Sequence, residues 1–180
     1  MEIEIRLLSD RDSLEDLTAL VHRAYHQLAD LGFRYWGTHQ SVDDTRYRIS
    51  EGECYVACKQ GNVVCTILLK SPGNTGGHPW YDRPDVASFH QFAVDPVFQK
   101  QKIGSQLLTY IEKRAFELGA RELSCDTAEG AIHLIRWYVK LGFLEVGRGD
   151  WDLTNYESLL FSKTLPDTGK PPWTQNQTAI

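Results

Sequence analysis

Long apolar runs are missing from this 180-residue chain. No stretch approaches the ~18 consecutive apolar residues that cross a bilayer, so no membrane partner is expected. The opening residues, MEIEIRLLSD, are acidic and lack the basic and apolar regions of a secretory signal. A soluble, cytoplasmic protein is the expectation. Cysteine is scarce as well. Cys54, Cys58, Cys65 and Cys125 include no C-x-x-C pair, and no histidine follows at zinc-finger spacing. They read as small buried hydrophobes in a reducing compartment, with no metal implied. Excess positive charge is absent too: 19 Lys and Arg face 24 Asp and Glu, for a net charge of −5. That balance argues against nucleic acid and suits a small or cationic substrate. Internal repeats are also lacking.

What is present has the makings of one globular domain. Apolar residues make up 42% of the chain and charged residues 24%, ordinary proportions for a protein with one sizeable core. Residues 1–165 carry the periodic patterns. Residues 166–180, PDTGKPPWTQNQTAI, hold three prolines and little apolar content, and are expected to be a flexible tail. Strand-like alternation marks residues 2–8. Leu14, Leu17, Val21, Ala24 and Leu28 recur at helical spacing, with Ser13-x-x-Asp16 resembling a capping box and Gly32 as a stop. A second helix is expected over 42–51, capped by Ser41. A hairpin follows, 54–59 and 63–70 around Gln60-Gly61-Asn62. Residues 71–87 form a long loop rich in Gly, Pro, His and aromatics, a length that often carries function. Then come a strand from Phe89, a helix stopped by Gly119, a strand at 122–126, a helix at 131–141 stopped by Gly142, and strands at 143–147 and 156–164. The expected fold is α+β: one mixed, mostly antiparallel twisted sheet of about seven strands with four helices.

The segment FHQFAVDPVFQKQKIGSQLL, residues 89–108, is the most informative. A buried strand runs into an Asp95-Pro96 turn, a polar loop and an amphipathic helix. Unpaired N–H groups and a partial positive charge at a helix start suit an anion such as a pyrophosphate. Lys100 and Lys102 add full charges.

Val94-Asp95-Pro96-x-Phe98-Gln99-x-x-Lys102-x-Gly104 resembles the acyl-CoA loop of the GNAT-type N-acetyltransferases, V-x-P-x-[YF]-[RQ]-G-x-G-x-[GA]. Downstream, Tyr138-x-Lys140-x-Gly142-Phe143 resembles the same superfamily's Y-x-K-x-G-F. The order of segments over residues 1–165 is also similar. Lys100 and Lys102 depart from the pattern by standing where glycine is usual. Glycine takes positive φ without steric cost, so lysine at 102 must use ordinary φ or accept strain. Two readings stay open for these lysines: solvent-facing side chains, or point charges on CoA phosphates. Ala131 stands where the family often has asparagine.

The resemblance implies an acetyl-CoA-dependent N-acetyltransferase. Its acceptor would be a primary amine of a small molecule or peptide, attacking directly in a ternary complex. A monomer or homodimer is expected. The alternative is a non-catalytic acyl-CoA-binding regulator on the same fold. By resemblance, the backbone of Phe92, Ala93 and Val94 pairs with the pantetheine arm, and Gln99, Lys100, Lys102, Ile103, Gly104 and Ser105 hold the pyrophosphate. Val94 N–H is the candidate polariser of the thioester carbonyl. Tyr138 is the candidate acid for the departing thiolate, a core aromatic being the competing reading. Ser88 falls where a glutamate base is common and cannot serve. His90, on the same strand face, is a candidate base, against relayed water and, more distantly, Glu129. Tyr35, Trp36, His39, Gln40, Trp80, Tyr81, Asn155 and Tyr156 are the candidate acceptor pocket, since aromatics with a few polar groups suit a small amine.

Overall fold

The computed structural model describes residues 2–73 and 77–166. Seven strands and four helices follow in the expected order: β1 (Glu4–Leu7), α1 (Leu14–Asp30), α2 (Val42–Ser50), β2 (Glu53–Lys59), β3 (Asn62–Lys70), β4 (Val86–Val94), α3 (Ile103–Glu117), β5 (Glu122–Ala128), α4 (Ile132–Lys140), β6 (Leu144–Gly149) and β7 (Ser158–Thr164). The sheet order is β1-β2-β3-β4-β5-β7-β6. Every neighbouring pair is antiparallel except β4 and β5. The fold is thus the expected α+β domain with a mixed sheet.

Local chemistry sets the element ends. Ser13 caps α1 by accepting from Asp16 N–H, and Ser41 with Asp44 forms a reciprocal capping box on α2. The reciprocal box expected at Ser13 is therefore found one helix later. Gly119 (φ +94°) and Gly142 (φ +90°) end α3 and α4 in the left-handed conformation. Several boundaries differ from expectation. β4 begins at Val86 rather than Phe89, because Val86, Ala87 and Ser88 pair with β5. The long loop is correspondingly shorter, and its residues 74–76 lie outside the described residues. So does residue 167 onward, which covers nearly all of the expected tail. Short 3₁₀ turns at Trp36–Thr38 and Pro96–Phe98 were not foreseen.

The two sheet faces are covered differently. Leu17, Leu20 and Val21 of α1 pack on Cys54, Val56, Cys58, Leu68 and Ala93. The opposite face receives Ile103, Leu107, Leu108, Ile111 and Ala115 of α3 and Tyr138 of α4, against Tyr55, Ala57, Ile67, Phe89 and Phe161. Burying each such Leu or Ile contributes roughly 1.5–3 kcal/mol, so the sheet is fixed from both sides.

One irregularity prepares the site. Gln91 sits at φ 48°, and the β3–β4 register shifts around it: Leu68 faces His90, but Thr66 faces Ala93. This is a β-bulge. Ala87 and Phe89 point into the larger core before it, whereas Phe92 and Val94 pack against that core after it. The inward parity has switched, with His90 and Gln91 as the residues that absorb the change. Pairing between β4 and β5 is confined to Val86–Ser88, while β5 continues to Ala128 along β7. Beyond Ser88 the two parallel strands diverge and a cleft opens.

Candidate active site

The cleft between the diverging strands contains a cavity of about 450 Å³. Phe92, Ala93, Val94, Gln99, Lys100, Lys102, Ile103, Gly104 and Ser105 all line it, together with Tyr138, Trp137 and Leu134 of α4. All nine residues expected to bind the cofactor therefore share one wall system. α3 has no side-chain cap, so its first-turn N–H groups lack an intrahelical acceptor. A Cβ on Gly104 would lie 3.0 Å from Val94 Cγ2 and 3.2 Å from Phe92 Cζ. Glycine here lets the helix start sit directly on β4. Gln99 donates from Nε2 to Val94 O at 3.2 Å and braces the turn around Asp95. Asp95 in turn accepts from Val97 N–H and pairs with Arg23 of α1 at 2.7 Å.

The lysines resolve one sequence question. Lys100 has φ 60° and Lys102 φ 65°, so the loop keeps the backbone shape that glycines would give and accepts strain. That costs on the order of 1–2 kcal/mol for each residue. Both line the cavity. Narrow loop geometry and two cations beside an uncapped helix start fit a phosphate-bearing acyl donor.

A second cavity of about 600 Å³ lies on the α1–α2 side of the bulge. Arg48 of α2, Lys70 of β3, His90 and Gln91 of β4, Trp151 and Tyr156 line it, with Tyr35, Trp36 and Tyr81. Tyr25, Tyr35 and Asp126 line both cavities, so the two meet there. Tyr35 is held at this junction by its hydroxyl, which contacts Thr127 Oγ1 at 2.7 Å and accepts from Ala128 N–H at 2.9 Å. Its ring leans on Tyr156, with centroids 4.6 Å apart.

Of the eight expected pocket residues, Tyr35, Trp36, Tyr81 and Tyr156 line the second cavity and four do not. His39 is an exposed residue touching Thr38 Oγ1. Gln40 is buried behind the wall, bonded to Arg48, Thr45 and Gln91. Trp80 donates to Ser124 Oγ at 2.9 Å and stacks on Arg83. Asn155 ties Arg34 N–H and Gly32 O together. These four act behind or beside the cavity, because their polar atoms are committed to neighbouring backbone and side chains. Glu129 pairs with Arg148 at 3.0 Å, away from both cavities.

Protonation at the junction follows from burial. His90 Nε2 contacts Ser88 Oγ at 2.7 Å. Desolvation, then Lys70 and Arg48, pulls its pKa down to about 3, which leaves a neutral, weakly basic ring. Tyr138 is 6% exposed, packed against Phe89, Phe143 and Phe161. Desolvation raises its pKa well above the usual phenol range, so it keeps its proton. Cys125 is raised likewise by burial and is no nucleophile at neutral pH.

Asp126 was missed in the sequence. Its Oδ2 accepts from Trp151 Nε1 at 2.9 Å and Ser158 Oγ at 3.0 Å, and its Oδ1 from the Tyr81 hydroxyl at 3.2 Å. Desolvation raises its pKa despite these three donors. A carboxylate in the middle of the strand ELSCDTA is costly to bury. That cost was the available signal.

A seven-stranded sheet split between β4 and β5, with an uncapped helix start on one side and a polar pocket on the other, is an architecture suited to a transferase that brings two substrates together. A sequence model of the acetyltransferase (GNAT) family matches residues 18–143. An S-(2-succino)cysteine N-acetyltransferase of Bacillus subtilis (strain 168) is 32% identical over 152 residues, covering 83% of this chain and 89% of that protein. Among solved structures, a Bacillus subtilis acetyltransferase in complex with CoA aligns with a TM-score of 0.66 at 20% identity, over 92% of this chain and 100% of the other. A GNAT family acetyltransferase from Elizabethkingia anophelis with acetyl-CoA bound aligns with a TM-score of 0.62 at 18% identity, over 91% and 98%. The chain belongs to the GNAT acetyltransferase family. It is an N-acetyltransferase, with acetyl-CoA as the acyl-donor co-substrate of its family.

Proposed function

We propose that this enzyme acetylates the primary amine of a small molecule by direct attack, with acetyl-CoA in the 450 Å³ cleft and the amine in the 600 Å³ cavity. The observation that carries this reading is the junction: Tyr25, Tyr35 and Asp126 belong to both cavities. The Bacillus subtilis relative is named for S-(2-succino)cysteine, so a cysteine S-conjugate is the first acceptor to try.

In this scheme the work divides among a few residues of the two cavities. The first-turn N–H groups of α3 hold phosphate, assisted by Lys100 and Lys102. The β4 edge beyond Ser88, free of β5, offers main-chain groups to the pantetheine arm. Among them, Val94 N–H stabilises negative charge developing on the thioester oxygen. Tyr138 keeps its proton through burial and gives it to the departing sulfur. A carboxyl with a raised pKa is a stronger base than an ordinary one, so Asp126 takes the amine's proton. His90, weakened by burial, orients the polar wall through Ser88. No acyl-enzyme is needed, since among the described residues no activated nucleophile lines the junction.

The test is release of CoA thiol on mixing acetyl-CoA with a panel of amines. Turnover requiring both substrates is expected. Acetyl-CoA binding without turnover of any amine would favour a non-catalytic regulator instead.

A further inference from the structure

Part of the second cavity's wall is polar beyond its own internal needs. Arg48 Nη1 donates to Gln40 Oε1 at 2.7 Å, and the guanidinium stacks over Trp36 with Cζ 4.7 Å from the ring centroid. Among the described residues no carboxylate pairs with it in an ion bridge. Desolvation disfavours its charge, so the fold holds a cation there at some cost.

Gln40, 1% exposed, passes this arrangement on. Its carbonyl is engaged by Arg48, so its amide is the donor towards Thr45 Oγ1 at 2.7 Å and Gln91 Oε1 at 3.1 Å. Gln91 must therefore present its oxygen to Gln40 and turn its own amide away. That amide nitrogen is the buried side-chain polar atom left without a hydrogen-bond partner among the described residues. Gln91 is 3% exposed and lines the same cavity as Arg48 and Lys70. It also sits at the strained bulge, φ 48°. Backbone strain in a residue of this kind persists where surrounding structure enforces it, commonly at ligand clamps.

A buried N–H donor without an acceptor, on the same cavity as an arginine fork without a carboxylate and joined to it through Gln40, is complementary to an anion with planar oxygens. We infer that Arg48 and Gln91 form a carboxylate subsite, making the acceptor an amine that also bears a carboxylate. This rests on the second cavity being the acceptor pocket. Lys70 supplies a further positive charge from β3, partly shared with Glu51 at 3.3 Å. Asp126 lines the same cavity and lies within electrostatic reach of Arg48. One wall thus receives the acceptor's carboxylate while Asp126 faces its ammonium, which orients the amine towards the junction. An amine without a carboxylate leaves Gln91 Nε2 unpaired and the Arg48 charge without a counter-ion, and is rejected for that reason.

The experiment compares S-(carboxymethyl)cysteine with 2-(ethylthio)ethylamine, a related thioether amine without carboxylates, by thiol release with the full chain. The wild type is expected to prefer the carboxylated acceptor in kcat/KM by about 100-fold or more. Arg48→Gln and, separately, Gln91→Met should shrink that ratio at least about tenfold, mainly through KM of the carboxylated acceptor. Equal use of both acceptors by the wild type overturns the proposal, as does an unchanged ratio in both variants. Turnover of the carboxylate-free amine alone overturns it while leaving the transferase reading intact. No thiol release with any amine overturns the acceptor-pocket reading and the subsite with it.

Discussion

The two cavities are built by opposite means. The proposed donor cleft is made of backbone: a strand edge freed by the β4–β5 divergence, a helix start without a side-chain cap, and a glycine packed on Val94 and Phe92. The proposed acceptor pocket is made of side chains from α2, β3, β4, β5 and the β6–β7 connection. Recognition by backbone tolerates sequence change so long as the shape survives, which is how lysine can stand at 100 and 102. Recognition by side chains changes with each substitution. The donor is therefore a property of the fold, whereas the acceptor belongs to this chain.

Substitutions sharpen the contrast. Tyr138→Phe removes only a hydroxyl and should lower kcat by about 100-fold or more, with little change in KM for either substrate. Unchanged single-turnover rates would remove Tyr138 as the acid. Asp126→Asn should lower kcat by a similar or somewhat smaller factor and erase the acid limb of the kcat/KM profile. Asp126 is raised by burial, so the limb should lie above the ordinary carboxylate range in the wild type. An intact limb in the variant would assign the proton elsewhere.

Gly104→Ala should weaken acetyl-CoA binding and cost roughly 1–3 kcal/mol in stability, because the new methyl presses on Val94 and Phe92. Calorimetric affinity and Tm check both. The smallest effect belongs to Lys102→Gly. Relief of the left-handed strain should raise Tm slightly, while the salt dependence of acetyl-CoA binding becomes shallower. An unchanged dependence would show that the lysine does not face phosphate.

His90 gives a separate handle through pH. Its folded pKa is depressed to about 3 from 6.5. The unfolded chain therefore takes up a proton below about pH 6.5 that the folded chain refuses. Stability linked to His90 is fully present above that pH and is lost as pH falls towards 3. Tm of His90→Gln should accordingly decline less than wild type over this window. Equal declines would mean that the ring is protonated in the fold.

Sequence alone carried the donor side far. Helix and strand periods and the stops at Gly119 and Gly142 located the elements, and the nine residues that the family resemblance marked for the cofactor line one cleft. The acceptor side was less legible for identifiable reasons. The bulge at Gln91 inserts one residue into the alternation, and nothing in FHQFAV marks it. Arg48 lies in VDDTRYRIS, which reads as a solvated helix face. His39, Gln40, Trp80 and Asn155 have pocket-like chemistry, yet their polar atoms are used locally. Only Asp126 left a trace, as a carboxylate amid a buried strand.

If the two cavities meet as Tyr25, Tyr35 and Asp126 place them, the acetyl group passes in one step from donor to amine. Rapid mixing of enzyme with acetyl-CoA, followed by thiol detection, tests this most directly. The predicted result is no thiol burst until a carboxylated amine is added, then release at the turnover rate. A burst equal to the enzyme concentration with acetyl-CoA alone, with a matching gain of acetyl mass on the protein, would contradict it.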